Sequence, residues 1–281
     1  MADKKSMPPV HPVRGLLEFI TGPWSVRNLV EWVGLIIGIL TVWWLLVQPF
    51  RIPSDSMVPT LEGDERFFSG DRVFVNKLAY GIHLPFTTKR ILTWDAPKRW
   101  DIVVFRTINP AEGQKVLIKR VVGLPGETIR IRDHKVYVNG EAVEMPERMP
   151  DVKYFNLDDY QSVLRAAESE DDVRNALGII QSYPVLYGCS DVPEYSVVPE
   201  GHYLMLGDNS QHSFDGRFYG WVPERHIFGR AFCVWWPFSR WSDLTGFSGT
   251  WWGKLLLFGI PASLIGFEFF RWRMSMKRAK T

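Results

Sequence analysis

The chain has 281 residues, 46% hydrophobic and 23% charged, enough for one sizeable domain with attachments or for two small ones. A net charge of only +2 and the lack of a basic, aromatic-lined groove argue against a nucleic-acid binder. The 6 histidines and 2 cysteines have no metal-ligand spacing, which argues against a metal centre; Cys189 and Cys233 leave open either a disulfide or two buried thiols.

Residues 1–28 are polar and basic (Lys4, Lys5, Arg14, Arg27) and read as an N-terminal tail on the cytoplasmic side. LVEWVGLIIGILTVWWLLVQ follows at 29–48, with Glu31 as its only charge. About twenty helical residues cross a bilayer core of about 30 Å, so this is expected to be a transmembrane helix rather than a core helix. The exit through Gln48, Pro49 and Phe50 is a poor signal-cleavage site, which argues against a removed signal peptide.

Just beyond the span lies RIPSDSMVPTL, Arg51 to Leu61, with Ser54 and Ser56 between Pro53 and Pro59. Proline fixes its own φ and pushes the preceding residue to extended backbone, so the segment is expected to be stiff and extended rather than helical. Taken alone, it fits either a loop that holds a nucleophile or an ordinary juxtamembrane linker.

From Asp64 to Asn139 the pattern is that of strands. DRVFVNK, DIVVFR, KVLIKRVVG, TIRIRD and KVYVNG are short, β-branched and bounded by Gly, Pro or Asp. Their continuous apolar runs predict burial on both faces, and Asn139-Gly140 predicts a type I′ hairpin turn. Residues 141–199 read as a variable insertion, with one or two surface helices within 157–183. Strands resume at HYLMLGDN and IFGRAFCVWW and complete the same β-domain, expected over residues 50–249.

A second apolar stretch, expected as another span at 251–270, is pinched by Lys254 and Glu268 and carries Pro261. An interfacial helix is the alternative. The tail at 271–281 holds Arg271, Arg273, Lys277, Arg278 and Lys280 without an acid. Positive residues mark the cytoplasmic side, so two spans place both basic ends there and the β-domain on the extracytoplasmic face.

A serine nucleophile needs a base and donors for the oxyanion. No histidine has an evident partner: His83 precedes Leu-Pro, His134 lies in a hairpin, and His212 is the one inside a polar loop. Lys119, in KVLIKRVVGLP, is the alternative, since a lysine buried among apolar groups loses its charge readily. Alternation places Leu117, Lys119 and Val121 on one face and Ile118, Arg120 and Val122 on the other. A strand-edge lysine that snorkels to solvent fits the same residues.

RIPSDSMVPTL, GDRVFVNKLAYG, RWDIVVFR, KVLIKRVVGLPGE and GDNSQHSFDGRFYGWVP, in this order, resemble the boxes of the type I signal peptidases, Ser/Lys membrane serine proteases. The resemblance covers most of residues 50–233. It implies a mainly β, antiparallel fold with a helical insertion, anchored by the N-terminal helix and a second C-terminal one. It also implies Ser56 as nucleophile, Lys119 as general base, and an oxyanion hole formed by the Ser54 hydroxyl and the Ser56 N–H. Ser213 would orient the lysine, and Asp215 and Arg217 would brace its loop. Positions matching the family's substrate pockets are Phe50, Ile52, Pro53, Met57, Leu61, Leu117 and Ile118, although each also suits a core.

The implied reaction removes signal peptides from exported preproteins through an acyl-enzyme, without metal or cofactor. The expected partners are those signal peptides, the lipid bilayer and the secretion translocase. The place implied is a bacterial cytoplasmic membrane, with Phe67, Phe68, Trp235, Trp236 and Trp241 as candidates for lipid contact. The chain departs from the family pattern at Trp100, usually glycine, and at Gly216, often serine. Cys189 lacks the near partner of the family's short-range disulfide. Two other readings are a Ser/Lys protease for one dedicated substrate and a non-catalytic, membrane-tethered peptide-binding β-domain. The latter has no use for Ser54, Ser56, Lys119 and Ser213 together.

Overall fold

The computed structural model describes residues 46–66, 69–83, 90–108, 115–166 and 169–251, and in the N-terminal stretch 26, 29–34 and 37–38. The chain divides into two units, Met1–Gln48 and Pro49–Thr281. Of the first, the residues described are helical up to Leu46. The expected span at 251–270, both tails, and Phe67 and Phe68 fall largely or wholly outside the described residues, as do residues 35–36 and 39–45 of the span expected at 29–48. Among those described, no helix is long and apolar enough to cross a membrane.

The second unit is mainly β. Its strands are β1 (Val47–Arg51), β2 (Arg72–Asn76), β3 (Gly81–His83), β4 (Arg90–Thr93), β5 (Ile102–Arg106), β6 (Val116–Gly123), β7 (Ile129–Arg132), β8 (Lys135–Val138), β9 (Glu141–Ala142), β10 (His202–Leu206), β11 (Val222–Pro223), β12 (Ile227–Trp236) and β13 (Ser242–Asp243). The main sheet has the order β1-β2-β12-β5-β6-β10-β11, with β13 added to β12. β12 serves both β2 and β5, and its register shifts along each pairing; such bulges bend a strand and add twist.

As the apolar runs predict, β5 is buried from Ile102 to Phe105 and β6 from Lys119 to Gly123. Each buried Val, Ile or Leu contributes roughly 1.5–3 kcal/mol, so this centre is a firmly packed base on which to mount a side chain. β5 pairs β6 antiparallel from Ile102↔Arg120 to Arg106↔Val116. On its other side β6 pairs β10 only as far as Leu206↔Arg120. The backbone edge from Val116 to Lys119 therefore extends past the end of β10.

β7, β8 and β9 form a separate sheet. Asn139 and Gly140 have φ of 51° and 93°, the left-handed pair that a type I′ turn requires, and Asp133 and His134 repeat it between β7 and β8. The 157–183 region resolves into two helices, α1 (Leu157–Ala166) and α2 (Glu170–Ser182). Asn156 and Asp159 cap α1 reciprocally, each side chain accepting from the other's N–H at 2.9 and 2.7 Å. This insertion grips the loop after β10: the Tyr160 hydroxyl donates to the Ser210 carbonyl at 2.9 Å, and Tyr160 packs with Leu186 and Phe218.

Candidate active site

The segment expected to be wholly extended contains one turn of 3-10 helix, Asp55–Met57, between extended Ser54 and Val58. The prolines restrict Ile52 and Val58 but leave four residues, Ser54 to Met57, free between them, enough for a turn. The leading N–H groups of such a turn have no acceptor inside it. Ser56, nearly buried, sits in this turn. Gly63 packs so closely on the Ser54 backbone that a Cβ there would overlap the Ser54 carbonyl, and its N–H donates to Asp55 Oδ1 at 3.0 Å. From the other side, Asn209 donates through its backbone to the Ser56 carbonyl and through Nδ2 to the Asp55 carbonyl, both at 3.1 Å.

Lys119, only 4% exposed, donates from Nζ to Ser56 Oγ. Burial lowers its amine to about 8, against the opposing pull of Asp215 and Asp208. It makes no salt bridge among the described residues, so it is a buried amine poised to lose a proton. His212, the other candidate base, is exposed. Ser54 is exposed, and its hydroxyl lies 3.4 Å from Ser56 Oγ.

Ser213 is buried, yet its hydroxyl has no hydrogen-bond partner among the described residues, Lys119 included. It stands across Gly207 from Ser56: a Cβ on Gly207 would strike both Ser213 Oγ and the Ser56 carbonyl. Asp215 and Arg217 are a fully buried ion pair at 2.9 Å. Asp215 accepts the Gly207 N–H at 2.9 Å, and Arg217 donates to Ser210 Oγ and to the Ser210 carbonyl, both at 2.6 Å. The pair thus holds the two ends of the loop 207–217 together. Gly216 leaves no room for the serine frequent in the family, since even a Cβ would lie 2.8 Å from the Met205 carbonyl oxygen.

Of the pocket positions, Ile52, Met57 and Leu61 are closed off in one core cluster, against which Phe50 and Ile118 pack half-buried. Leu117 belongs to a different cluster on the other face, and Pro53 is exposed. Phe50, Pro53, Leu117 and Ile118 are therefore the members of this set that keep surface open.

Sequence reasoning missed a second buried network. Arg120 donates to both carboxylate oxygens of Asp208, at 2.7 and 2.5 Å, to Thr60 Oγ1 at 3.1 Å and to the Trp100 carbonyl at 2.9 Å. Thr60 in turn donates to Asp208 at 2.5 Å. An arginine inside an apolar strand calls for a buried carboxylate, but no local pattern names Asp208, two residues past β10, as the partner. Trp100, where the family usually has glycine, has a φ of 72°, the left-handed region that glycine enters without strain.

Both cysteines are free, and burial pushes the Cys189 thiol up to about 12, which keeps it unreactive.

Residues 26–236 match the family described as "Signal peptidase, peptidase S26". A "Signal peptidase I" from Pseudomonas aeruginosa is 39% identical over 222 residues, covering 72% of this chain and 70% of its own. One from Pseudomonas fluorescens is 37% identical over 219 residues, with coverage of 72% and 70%. Among solved structures, a signal peptidase I from Enterococcus faecalis V583 is 25% identical and covers 49% of this chain and 98% of its own, at a TM-score of 0.30.

Proposed function

The chain belongs to the signal peptidase family, peptidase S26, serine endopeptidases, and we propose that it removes signal peptides from exported preproteins with Ser56 and Lys119. The single observation that carries the assignment of residues is the buried Lys119 amine, without a salt bridge among the described residues and in contact with Ser56 Oγ.

Neutral Lys119 takes the Ser56 proton as Oγ attacks the scissile carbonyl. The oxyanion is held by the Ser54 hydroxyl and the Ser56 N–H. The lysine ammonium returns the proton to the leaving amine, and the acyl-enzyme is then hydrolysed by a water that Lys119 deprotonates. Ser213, Asp215 and Arg217 act on the loop that backs the dyad, not on the substrate. The open edge of β6, Val116–Lys119, suits a peptide added as a further strand, with Phe50 and Ile118 offering shallow apolar surface to small side chains.

A signal peptide keeps its apolar region in the bilayer and its cleavage site at the rim. The apolar run that ends just before Ser56 in the sequence supports a tether at that depth. On this reading, the enzyme faces the extracytoplasmic side of a bacterial cytoplasmic membrane, and the secretion translocase delivers its substrates.

The test is cleavage of a preprotein in detergent or lipid by the wild type, Ser56→Ala and Lys119→Ala. Release of a mature chain after a small-x-small site, abolished in both variants, is the expected result. Near-full activity in Lys119→Ala means another base; no cleavage by folded wild type defeats general signal-peptide removal.

A further inference from the structure

From Trp235 to Trp251 the surface is aromatic. Phe238 and Trp241 are each 69% exposed and Trp251 64%, and the Phe238 ring lies 5.3 Å from Trp236 and 6.5 Å from Trp241. The stretch holds just two charges, Arg240 and Asp243, and both are engaged in hydrogen bonds. Asp243 accepts from the N–H groups of Thr245, Gly246 and Ser248. Arg240 donates from Nε and a terminal nitrogen to both oxygens of Asp71, at 2.8 and 3.0 Å, and from the other terminal nitrogen to Glu62 at 2.8 Å. Exposed rings whose neighbouring charges are already paired suit a lipid interface, where tryptophan is favoured. In the sequence this corner is followed, past Lys254, by the uncharged stretch 255–267.

Asp71 is fully buried and is the junction of the loop that carries the serine. Its carbonyl accepts from Ile52 N–H at 3.0 Å, its N–H donates to the Glu62 carbonyl at 2.8 Å, and its carboxylate accepts the Glu62 N–H at 2.8 Å. Glu62 is followed by Gly63, whose backbone lies against Ser54. A continuous set of contacts thus leads from the aromatic corner through Arg240, Asp71 and Glu62 to the oxyanion side of the site.

We infer that Arg240 is a positioning residue that couples seating of the Phe238–Trp241 corner on a lipid bilayer to the rigidity of the loop Asp55–Gly63. This rests on the peptidase reading for its purpose, although its readout does not. Arg240 touches no reacting atom; it acts through Asp71. A bilayer that fixes the corner fixes the guanidinium, and with it the platform under Ser54.

The test is amide hydrogen exchange of the full chain in liposomes of phosphatidylethanolamine and phosphatidylglycerol, against the same chain in dodecyl maltoside micelles. In the wild type, the amides within 237–242 and 55–63, prolines aside, are expected to exchange at least tenfold more slowly in liposomes. In Arg240→Ala, slowing at 237–242 remains and slowing at 55–63 disappears. Because that variant leaves a buried carboxylate without its cation, Phe238→Ser/Trp241→Ser, with the ion pair intact, is measured beside it and is expected to lose both responses. Slowing at 55–63 that persists in either variant overturns the inference, as does a wild type whose 237–242 amides ignore the bilayer. Exchange is read without turnover, so a protein that cleaves no preprotein defeats the peptidase reading and leaves this result standing.

Discussion

Lys119 and Arg120 are consecutive on β6, point to opposite faces, and both reach the same loop, Lys119 at Ser56 and Arg120 at Thr60. A strand's alternation thus lets one rigid element hold a short loop at two points. Asp208 completes the second clamp by binding Arg120 and Thr60 together. Asn209, the next residue, fixes the Asp55 and Ser56 carbonyls. The nucleophile is positioned by the sheet, and the loop's own conformation contributes one turn.

Thr60→Val tests the second clamp. The substitution keeps the shape and removes hydrogen bonds to an arginine and a carboxylate, each worth ~1.5–3 kcal/mol where a charge is involved. Stability is expected to fall by about 2 kcal/mol. kcat should drop about tenfold or more with KM nearly unchanged, because the loop, not the peptide edge, is loosened. A large rise in KM at constant kcat in steady-state cleavage of a peptide substrate contradicts this.

The pH profile follows from the buried amine. Lys119 must be neutral to act as base, and burial brings it to about 8. Turnover is expected to rise about tenfold per pH unit on the acid side and level off above about 8. A limb centred near 6.5, where an unperturbed histidine titrates, points to another base.

The same burial makes Lys119 a stability liability, and the sign can be worked out. The folded amine titrates near 8 and the unfolded one at 10.5, so the unfolded chain binds more protons between those values. The penalty is full below pH 8 and fades as pH rises toward 10.5. Lys119→Met should therefore be inactive yet more stable at pH 7, by up to about 3 kcal/mol, with the gain gone above pH ~10. Thermal unfolding at pH 7 and pH 10 measures it; equal stability at both sinks the argument.

Ser54→Ala removes the hydroxyl that faces Ser56 without opening the core, since Ser54 is exposed. An oxyanion donor is worth ~3–4 kcal/mol, so kcat is expected to fall about 100- to 1,000-fold at little cost in stability. Ser54→Thr, which keeps the hydroxyl, should recover most of it. Single-turnover acylation that is unchanged in Ser54→Ala removes this residue from the oxyanion hole.

Much of this was legible in the residues. Short β-branched runs and the Asn139-Gly140 pair are local signals, and β5, β6 and the hairpin follow them. Local chemistry also singled out Lys119, an amine that had to be reconciled with an apolar strand. The Arg120–Asp208–Thr60 clamp was not legible, because it joins positions up to 148 residues apart and no local pattern encodes the pairing. The turn at Asp55–Met57 was missed because proline restricts its neighbours, not the residues between. Trp100 and Gly216 looked like departures from a pattern, yet each has a geometric account: a left-handed backbone in one case, absent space in the other.

Gly207 offers the sharpest steric test of how the two loops meet. An added Cβ would lie on Ser213 Oγ and 2.5 Å from the Ser56 carbonyl, which no rotamer change can relieve because one partner is backbone. Gly207→Ala must push the Ser56 turn away from the 207–217 loop, and a misplacement of about 1 Å at a reacting group costs on the order of 100-fold in rate. The control is Gly178→Ala, in α2 with nothing within 4 Å of an added Cβ. There alanine is expected to stabilise by about 0.5–1 kcal/mol, the usual gain over glycine inside a helix, and to leave cleavage unchanged. Measured together in one peptide-cleavage and thermal-unfolding series, the two alanines should move in opposite directions. Full activity in Gly207→Ala means that the Ser56 turn tolerates displacement and that the close contact with Ser213 does not set its position.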